Sequence, residues 1–372
     1  MDTAQIVSNP TSSQPPPEAD GPSGAPLTKR VLPRYAPALV LVASLAVALG
    51  ILSLSGSSGL VGTAALGVVL HMVLITLLSR FVEGARSATD RFVTSLVYSA
   101  FALAVIPLVS LLWIVISNGL ERFGPYFLTY TMRGVFGGMD AGGAYHAIVG
   151  TLLVTGFAAL VSVPIGLFTA IYLVEYGSGR LSSAIRFFVD VMTGIPSIVA
   201  GLFAYSLFAL IFGPGIRLGV MGSVALAVLM TPVVVRSCEE MLQLVPNELR
   251  EASYALGVPK WLTVLKVVLP TAAAGIATGV TLAIARAIGE TAPLLLVCGV
   301  LTSSNWNLFD GRMMTLPVFV YQSYAQGLAP TGITTINYDR AWAAALTLII
   351  IVMLLNLVAR LISRIFAPKA GR

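Results

Sequence analysis

Eight apolar segments, each long enough to cross a lipid bilayer, divide this chain, at about residues 35–54, 60–79, 92–117, 147–174, 187–212, 218–235, 267–301 and 341–361. A helix rises about 1.5 Å per residue, so roughly 20 residues cross the hydrocarbon layer. No water is present there to satisfy backbone N–H and C=O groups, so such segments must close their hydrogen bonds internally, as helices. Charged residues make up only 10% of the chain, against about 25% in soluble domains. That is too few to cover a water-facing surface. The expected fold is an all-α polytopic membrane protein with about eight transmembrane helices.

The flanks and loops set the topology. Residues 1–33 ("NPTSSQPPPEADGPSGAP" within them) are expected to be a disordered cytoplasmic tail. No secretory signal fits, because the polar tail is long and the first apolar segment already has spanning length. With the N-terminus inside, 16 Lys and Arg residues fall on the cytoplasmic side and five (Arg122, Arg133, Arg217, Arg312, Arg340) outside. Basic residues collect in cytoplasmic loops, so both termini are expected to be cytoplasmic. The net charge of +6 is read the same way. No basic run interleaved with aromatics points to nucleic acid. Two long outer loops, 118–145 and 302–340, read as connectors or as docking surfaces.

Several chemistries are excluded. Cys238 and Cys298 fall near opposite faces, too far apart to bridge. His71 and His146 have no ligand partners nearby, so no metal site is expected. His71 reads as a neutral, hydrogen-bonded residue. No HExxH or Cys–His constellation is present, and no catalytic residue is assigned. The chain has no phosphate loop, and the dipeptide GK never occurs. If ATP drives a process here, another chain must bind it.

The loop between the sixth and seventh segments, "RSCEEMLQLVPNELREASYALGVPKWLTVLKVVLP", is more organised than a connector needs to be. Asn247 reads as an N-cap after Pro246, with Glu248 and Glu251 in the first turn. Leu249, Ala252 and Leu256 form an apolar stripe at helical spacing. Gly257 reads as a C-terminal cap, and Pro259 starts a second helix. Trp261, Leu265 and Val268 make a second stripe, and Pro270 marks re-entry into the membrane. Two readings stand on these residues: helices lying on the membrane, or a protruding helix that enters a groove of a cytosolic partner. On the second reading Ala252, Ser253 and Ala255 allow close approach, and Glu251 pairs with a partner Arg.

The spacing Glu251-Ala252-Ser253, three residues, Gly257, nine residues, Val267-x-Leu269-Pro270 resembles the EAA signature of bacterial ABC-importer permeases. Ser253 stands for Ala and Val267 for Ile. "GAYHAIVGTLLVT", "GIPSIVAGLF", "TPVVVRSCEEML" and "ARAIGETAPLLLV" are similar to phosphate-specific permeases, and "GETAPLL" to their PstA type. The resemblance covers about residues 90–365. It implies a type I importer permease core of six helices there, with residues 236–270 as a coupling loop. It leaves residues 34–80 as an extra N-terminal hairpin. It implies that Glu251, Ala252 and Gly257 dock on an ATPase subunit, which would bind ATP and Mg²⁺; no cofactor belongs to this chain. It further implies a second, homologous permease chain as heterodimer partner, an extracytoplasmic phosphate-binding protein, and a place in the bacterial plasma membrane. The activity implied is phosphate import by alternating access, not an enzymatic reaction in this chain. A permease for sulfate or molybdate, or a gradient-driven secondary transporter, is the alternative.

Within the seventh segment, Arg286 and Glu290 stand four residues apart near the sequence midpoint. A charge at that depth costs several kcal/mol unless it is paired or faces water. Spacing of four puts both on one helix face. They read either as a self-neutralised pair between helices or as an anion pathway, with Arg286 meeting the anion and Glu290 tempering it. On the second reading, a pull on the coupling loop reaches Arg286 through Pro270. Arg236, near Glu239 and Glu240, reads as a cytoplasmic anchor or as the inner mouth of the path. Asp190 is expected to pair with Arg186, one turn away, and Glu175 reads as an ordinary interfacial charge. Gly275 and Gly279 form a GxxxG suited to close helix packing. Pro164, Pro196 and Pro293 are candidate helix breaks.

Overall fold

The computed structural model describes residues 31–366 except 57–58 and 330–331, with side chains to residue 361. The expected tail therefore lies outside the described residues as far as residue 30. Described residues form helices and no strand; one isolated bridge joins Gly138 and Gly332. Among the described residues, seven helices are long and apolar enough to cross a bilayer, or eight if one sharply bent pair counts as a span.

The chain divides into two compact units, residues 1–109 and 110–372. In the first, α1 (Ala36–Leu54) and α2 (Leu60–Val82) pack as a hairpin, followed by α3 (Ala85–Leu120), within which the unit boundary falls. Small residues make the hairpin close. Ser44 and Ala48 are fully buried, and a Cβ on Gly67 would collide with the Leu45 side chain. α3 begins at residue 85 rather than 92. A hydropathy reading stops at the polar run before Phe92, but the helical backbone does not, because Glu83 engages Arg91. The Glu83 carboxylate accepts from Arg91 Nε at 2.6 Å and Nη2 at 2.8 Å, from Ser79 Oγ at 2.7 Å and from the Leu32 amide at 2.7 Å. Gly84, at φ +93°, makes the turn between α2 and α3, a conformation that a side chain would strain.

In the second unit, α4 (Pro125–Thr129) precedes α5 (Tyr145–Ile171), which continues into a π-turn at Tyr172–Tyr176. Then come α6 (Gly179–Thr193), α7 (Ser197–Phe212), α8 (Gly219–Gln243), α9 (Asn247–Ala255) and α10 (Lys260–Thr263). A second π-turn, Val264–Val268, leads into α11 (Leu269–Ala287), followed by α12 (Ala292–Val297), α13 (Leu316–Ala325) and α14 (Ile336–Phe366). α8 is the central span: 67% of its apolar window is buried, against 28% or less for the other spans. Its main partner is α5. Gly166 of α5 accepts the Val234 side chain at 2.6 Å from where a Cβ would stand, and Ser223 donates to Val154 O at 2.9 Å. The GxxxG expectation holds: Gly275 and Gly279 of α11 lie on Met241 and Ser237 of α8.

Two expected spans are not single helices. The segment 187–212 is split into α6 and α7, which meet at 106°. A proline disfavours the helical region for the residue before it and offers no N–H of its own, and Gly194-Ile195-Pro196 is a corner here. The segment 267–301 ends its helix at Ala287; Ile288–Thr291 are the break and α12 starts one residue before Pro293. Pro164, by contrast, sits inside a continuous α5, as Pro107 does in α3 and Pro232 in α8.

The two long loops are folded onto one another. Ile333 N donates to Gly138 O at 3.1 Å. Arg340, 2% exposed, donates to Met139 O at 2.6 Å, Ala141 O at 3.0 Å and Asn337 Oδ1 at 3.0 Å. Arg122 reaches Asp140 and Ala141 O from the other side. Cys238 and Cys298 are both buried and unbridged.

Candidate functional site

The corner between α6 and α7 opens a cavity of about 270 Å³. Thr193, Ile195, Pro196 and Ser197 line one side, and Leu229, Met230, Pro232 and Val233 of α8 another. Ala283, Arg286, Ala287 and Glu290 complete it. Leu229 and Val233 each lie ten residues from an end of α8, or about 15 Å at 1.5 Å per residue. The cavity is therefore at the middle of the central span. Its depth is set by α8; Arg286 itself belongs to the last turn of α11.

Arg286 and Glu290 meet in this cavity, but not as neighbours on one helix face. α11 ends at Ala287, between them, and Glu290 N closes a tight turn onto Ala287 O at 3.1 Å. Among the described residues neither side chain makes an ion pair or a hydrogen bond. Arg286 is exposed and Glu290 half-buried. The self-neutralised pair is thus not what the fold builds. It builds a mid-span cavity with one free guanidinium, one free carboxylate and otherwise apolar or hydroxyl-bearing walls. Thr193 already donates its hydroxyl to Val189 O at 2.9 Å. α7 begins at Ser197 beside the cavity, so the positive end of a 16-residue helix faces the same space.

One turn further along α8, Arg236 binds Asp190 through Nη2 and Glu239 Oε2 through Nη1 at 3.1 Å. Arg186 takes the other oxygen of Glu239 at 3.0 Å and also donates to Leu173 O at 3.2 Å. The expected Asp190–Arg186 pair is replaced by this crossed network. α6 and α8 lie side by side, which their distance in sequence does not reveal. Arg236 therefore sits below the cavity with both of its carboxylate partners in place.

The loop following α8 forms the two short helices expected of it. Pro246, not Asn247, is the cap residue of α9; Asn247 is the first helical residue and accepts from Arg250 Nη1 at 3.2 Å. At the other end, Gly257 adopts φ +76°, with Gly257 N bonded to Tyr254 O at 2.9 Å and Val258 N to Ser253 O at 3.2 Å. That is the paired closure of a helix end that requires glycine. Leu249, Tyr254 and Leu256 are exposed, Leu256 at 84%, as are Glu251, Ala252 and Gly257. Ser253 points the opposite way. It is buried, and its hydroxyl pairs with Thr263 at 2.8 Å, fastening α9 to α10. The stripe Trp261-Leu265-Val268 is divided. The first two are exposed and Val268 is fully buried, because the π-turn shifts the register between them.

Glu175 is not an ordinary interfacial charge. It is buried in the π-turn of α5 and receives Nε and Nη2 of Arg250 at 3.0 and 2.9 Å. Sequence reasoning missed the pair because its members are 75 residues apart. The only hint was a carboxylate at the end of an apolar segment, with an arginine set before Glu251. Among the described residues His71 Nδ1 has no hydrogen-bond partner, where a hydrogen-bonded residue was expected, and neither has either nitrogen of His146, which lies edge-on to Phe319 at 5.4 Å.

Residues 162–372 match the family model described as "Binding-protein-dependent transport system inner membrane component". The phosphate transport system permease protein PstA 1 of Mycobacterium tuberculosis is 48% identical over 290 residues, 77% of this chain and 91% of that protein. PstA of Mycobacterium leprae is 46% identical over 278 residues, 73% and 88% of the two chains. PstA of Pasteurella multocida is 39% identical over 236 residues, 63% and 79%. A crystal structure of a bacterial alginate ABC transporter, in complex with a periplasmic protein carrying an alginate pentasaccharide, shares the fold. It matches with a TM-score of 0.51 and 16% identity, over 76% of this chain and 97% of that one.

Proposed function

We infer the function from one premise: this chain belongs to the family of binding-protein-dependent transport system inner membrane components, among the PstA-type phosphate permeases. It is a transmembrane permease subunit of an ATP-driven phosphate importer. It is not an enzyme; the ATPase is a separate subunit. It associates with that ATPase and with a substrate-binding protein.

The finer assignments are ours. Arg286 is the anion's contact in the membrane and Glu290 limits how tightly it is held. The observation that carries this is the mid-span cavity, whose one lining cation has no partner among the described residues. A guanidinium presents paired N–H groups suited to phosphate oxygens, and the start of α7 adds a favourable field. Passage requires binding weak enough to release, and a carboxylate in the same cavity serves that end. Arg236 guards the cytoplasmic mouth. Glu251, Ala252 and Gly257 form the docking surface for the ATPase, supported by the exposed face of α9. A second, homologous permease chain completes the pathway as a heterodimer, and both termini are cytoplasmic, as the distribution of basic residues supports.

The test is uptake of labelled phosphate by proteoliposomes holding the complete transporter and its binding protein. Uptake is expected to require ATP, to survive a proton uncoupler, and to be competed by phosphate but not by sulfate or molybdate. Competition by sulfate at equal concentration, or loss of uptake on uncoupling alone, refutes the reading.

A further inference from the structure

We propose that Arg250 and Glu175 are the positioning residues that carry a displacement of α9 into α5 and α8, so that these three elements move as one body. This rests on the ATP-driven permease reading above. All five N–H donors of the Arg250 guanidinium are engaged. Two go to Glu175, two to Val245 O at 2.6 Å and Asn247 Oδ1 at 3.2 Å, and one to Leu242 O at 3.0 Å. One side chain on α9 is thereby tied to the end of α8, to the elbow that follows it, and to the end of α5. The Glu175 side chain is 4% exposed and that of Arg250 12%. Separating them leaves a buried charge uncompensated, so the joint resists opening.

Other ties end on the same π-turn. Arg186 of α6 holds Leu173 O, and Lys260, the first residue of α10, lies over the Tyr176 ring at 5.0 Å, so α10 starts on the α5 side of the second π-turn. π-turns interrupt helices preferentially at functional positions. The route through Pro270 is softer. The side-chain link from α9 to α10 is one neutral hydroxyl pair, Ser253 to Thr263, and α10 runs into α11 through the second π-turn; charge-assisted bonds are roughly twice as strong as neutral ones. α8 lines the cavity, and α5 is fastened to it by Gly166 on Val234 and by Ser223 on Val154. A push on α9 therefore reaches the cavity first at its α8 wall, and α11 with Arg286 follows only through its glycine packing on α8 and through the second π-turn.

The experiment uses the complete transporter with spin labels at Glu248→Cys on α9 and Leu160→Cys on α5, and a second pair at Glu248→Cys and Leu282→Cys on α11. Between nucleotide-free and ATP-trapped states, the first distance is expected to stay constant and the second to change. A first distance that shifts on ATP trapping overturns the proposal, whatever any variant does. Glu175→Gln is expected to keep ATP hydrolysis while phosphate moved per ATP falls about tenfold, within the usual range of coupling free energies. An assembled Glu175→Gln transporter with an unchanged ratio also overturns it. If the wild-type complex moves no phosphate, the functional reading fails, while the paired distances still decide the joint.

Discussion

Replacing Arg286 by Gln removes the one cation among the described residues that line the cavity. A hydrogen bond to a charged group contributes about 1.5–3 kcal/mol, and each 1.4 kcal/mol is about a factor of ten. Phosphate uptake efficiency should therefore fall by about tenfold to a hundredfold. Folding should hardly respond. Arg286 is exposed and makes no ion pair or side-chain hydrogen bond within the described residues, and substitutions of that kind shift stability by about 0.5 kcal/mol or less. Arg286→Lys keeps the charge but loses the planar fork, so it should fall between Gln and wild type. Glu290→Gln should act with the opposite sign on binding, lowering the half-saturating concentration while slowing turnover. The assay is initial uptake into proteoliposomes across a range of loaded binding protein, with thermal unfolding of the same preparations in detergent. Wild-type uptake by a normally assembled Arg286→Gln transporter refutes the reasoning. So does a loss of uptake that simply follows a loss of thermal stability.

Two further outcomes follow from the packing and the elbow. Gly279→Val should destabilise the α8–α11 contact by about 1–3 kcal/mol, because a Cβ there meets Ser237 Cβ at 2.5 Å; Gly289→Ala, whose Cβ would find only Arg286 O at 3.8 Å, should cost less. Thermal unfolding of the two variants side by side checks the order. The Glu83 carboxyl is held down from its ordinary 4.5 to about 2, first by its hydrogen bonds from Arg91, against burial, and then by Ser79 and the Leu32 amide. A lowered carboxyl pKa means that this stabilisation is complete above about pH 4.5 and is lost as pH falls towards 2. The protection of the Leu32 amide from hydrogen exchange, relative to its intrinsic rate at each pH, should fall across that window in the wild type but not in Glu83→Gln. Protection that persists to pH 2 would refute the assignment.

The spans and the coupling loop were legible because each depends on neighbours in sequence. Apolar runs report bilayer crossing, and Pro246, Gly257 and Pro259 punctuate α9 and α10 through their own backbone limits. The candidate site was half legible. Arg286 and Glu290 stood out as charges in an apolar run, but their relation was misread by assuming a continuous helix through Gly289. The crossed network of Arg186, Asp190, Arg236 and Glu239, and the Arg250–Glu175 joint, join positions 46 to 75 residues apart. No periodicity connects such residues.

By itself, the sequence determined that this chain crosses the membrane many times, where α9 and α10 are punctuated by Pro and Gly, and which charges lie in apolar surroundings. Those properties follow from transfer of single residues between water and lipid and from local backbone sterics. Only the tertiary structure decided what the charges do. The corner at Pro196 and the break after Ala287 open a cavity against the middle of α8, leaving Arg286 unpaired among the described residues, while the π-turn of α5 brings Glu175 to Arg250. Which charge is satisfied and which stays free depends on helices packed side by side, a relation that residue spacing along one chain does not contain.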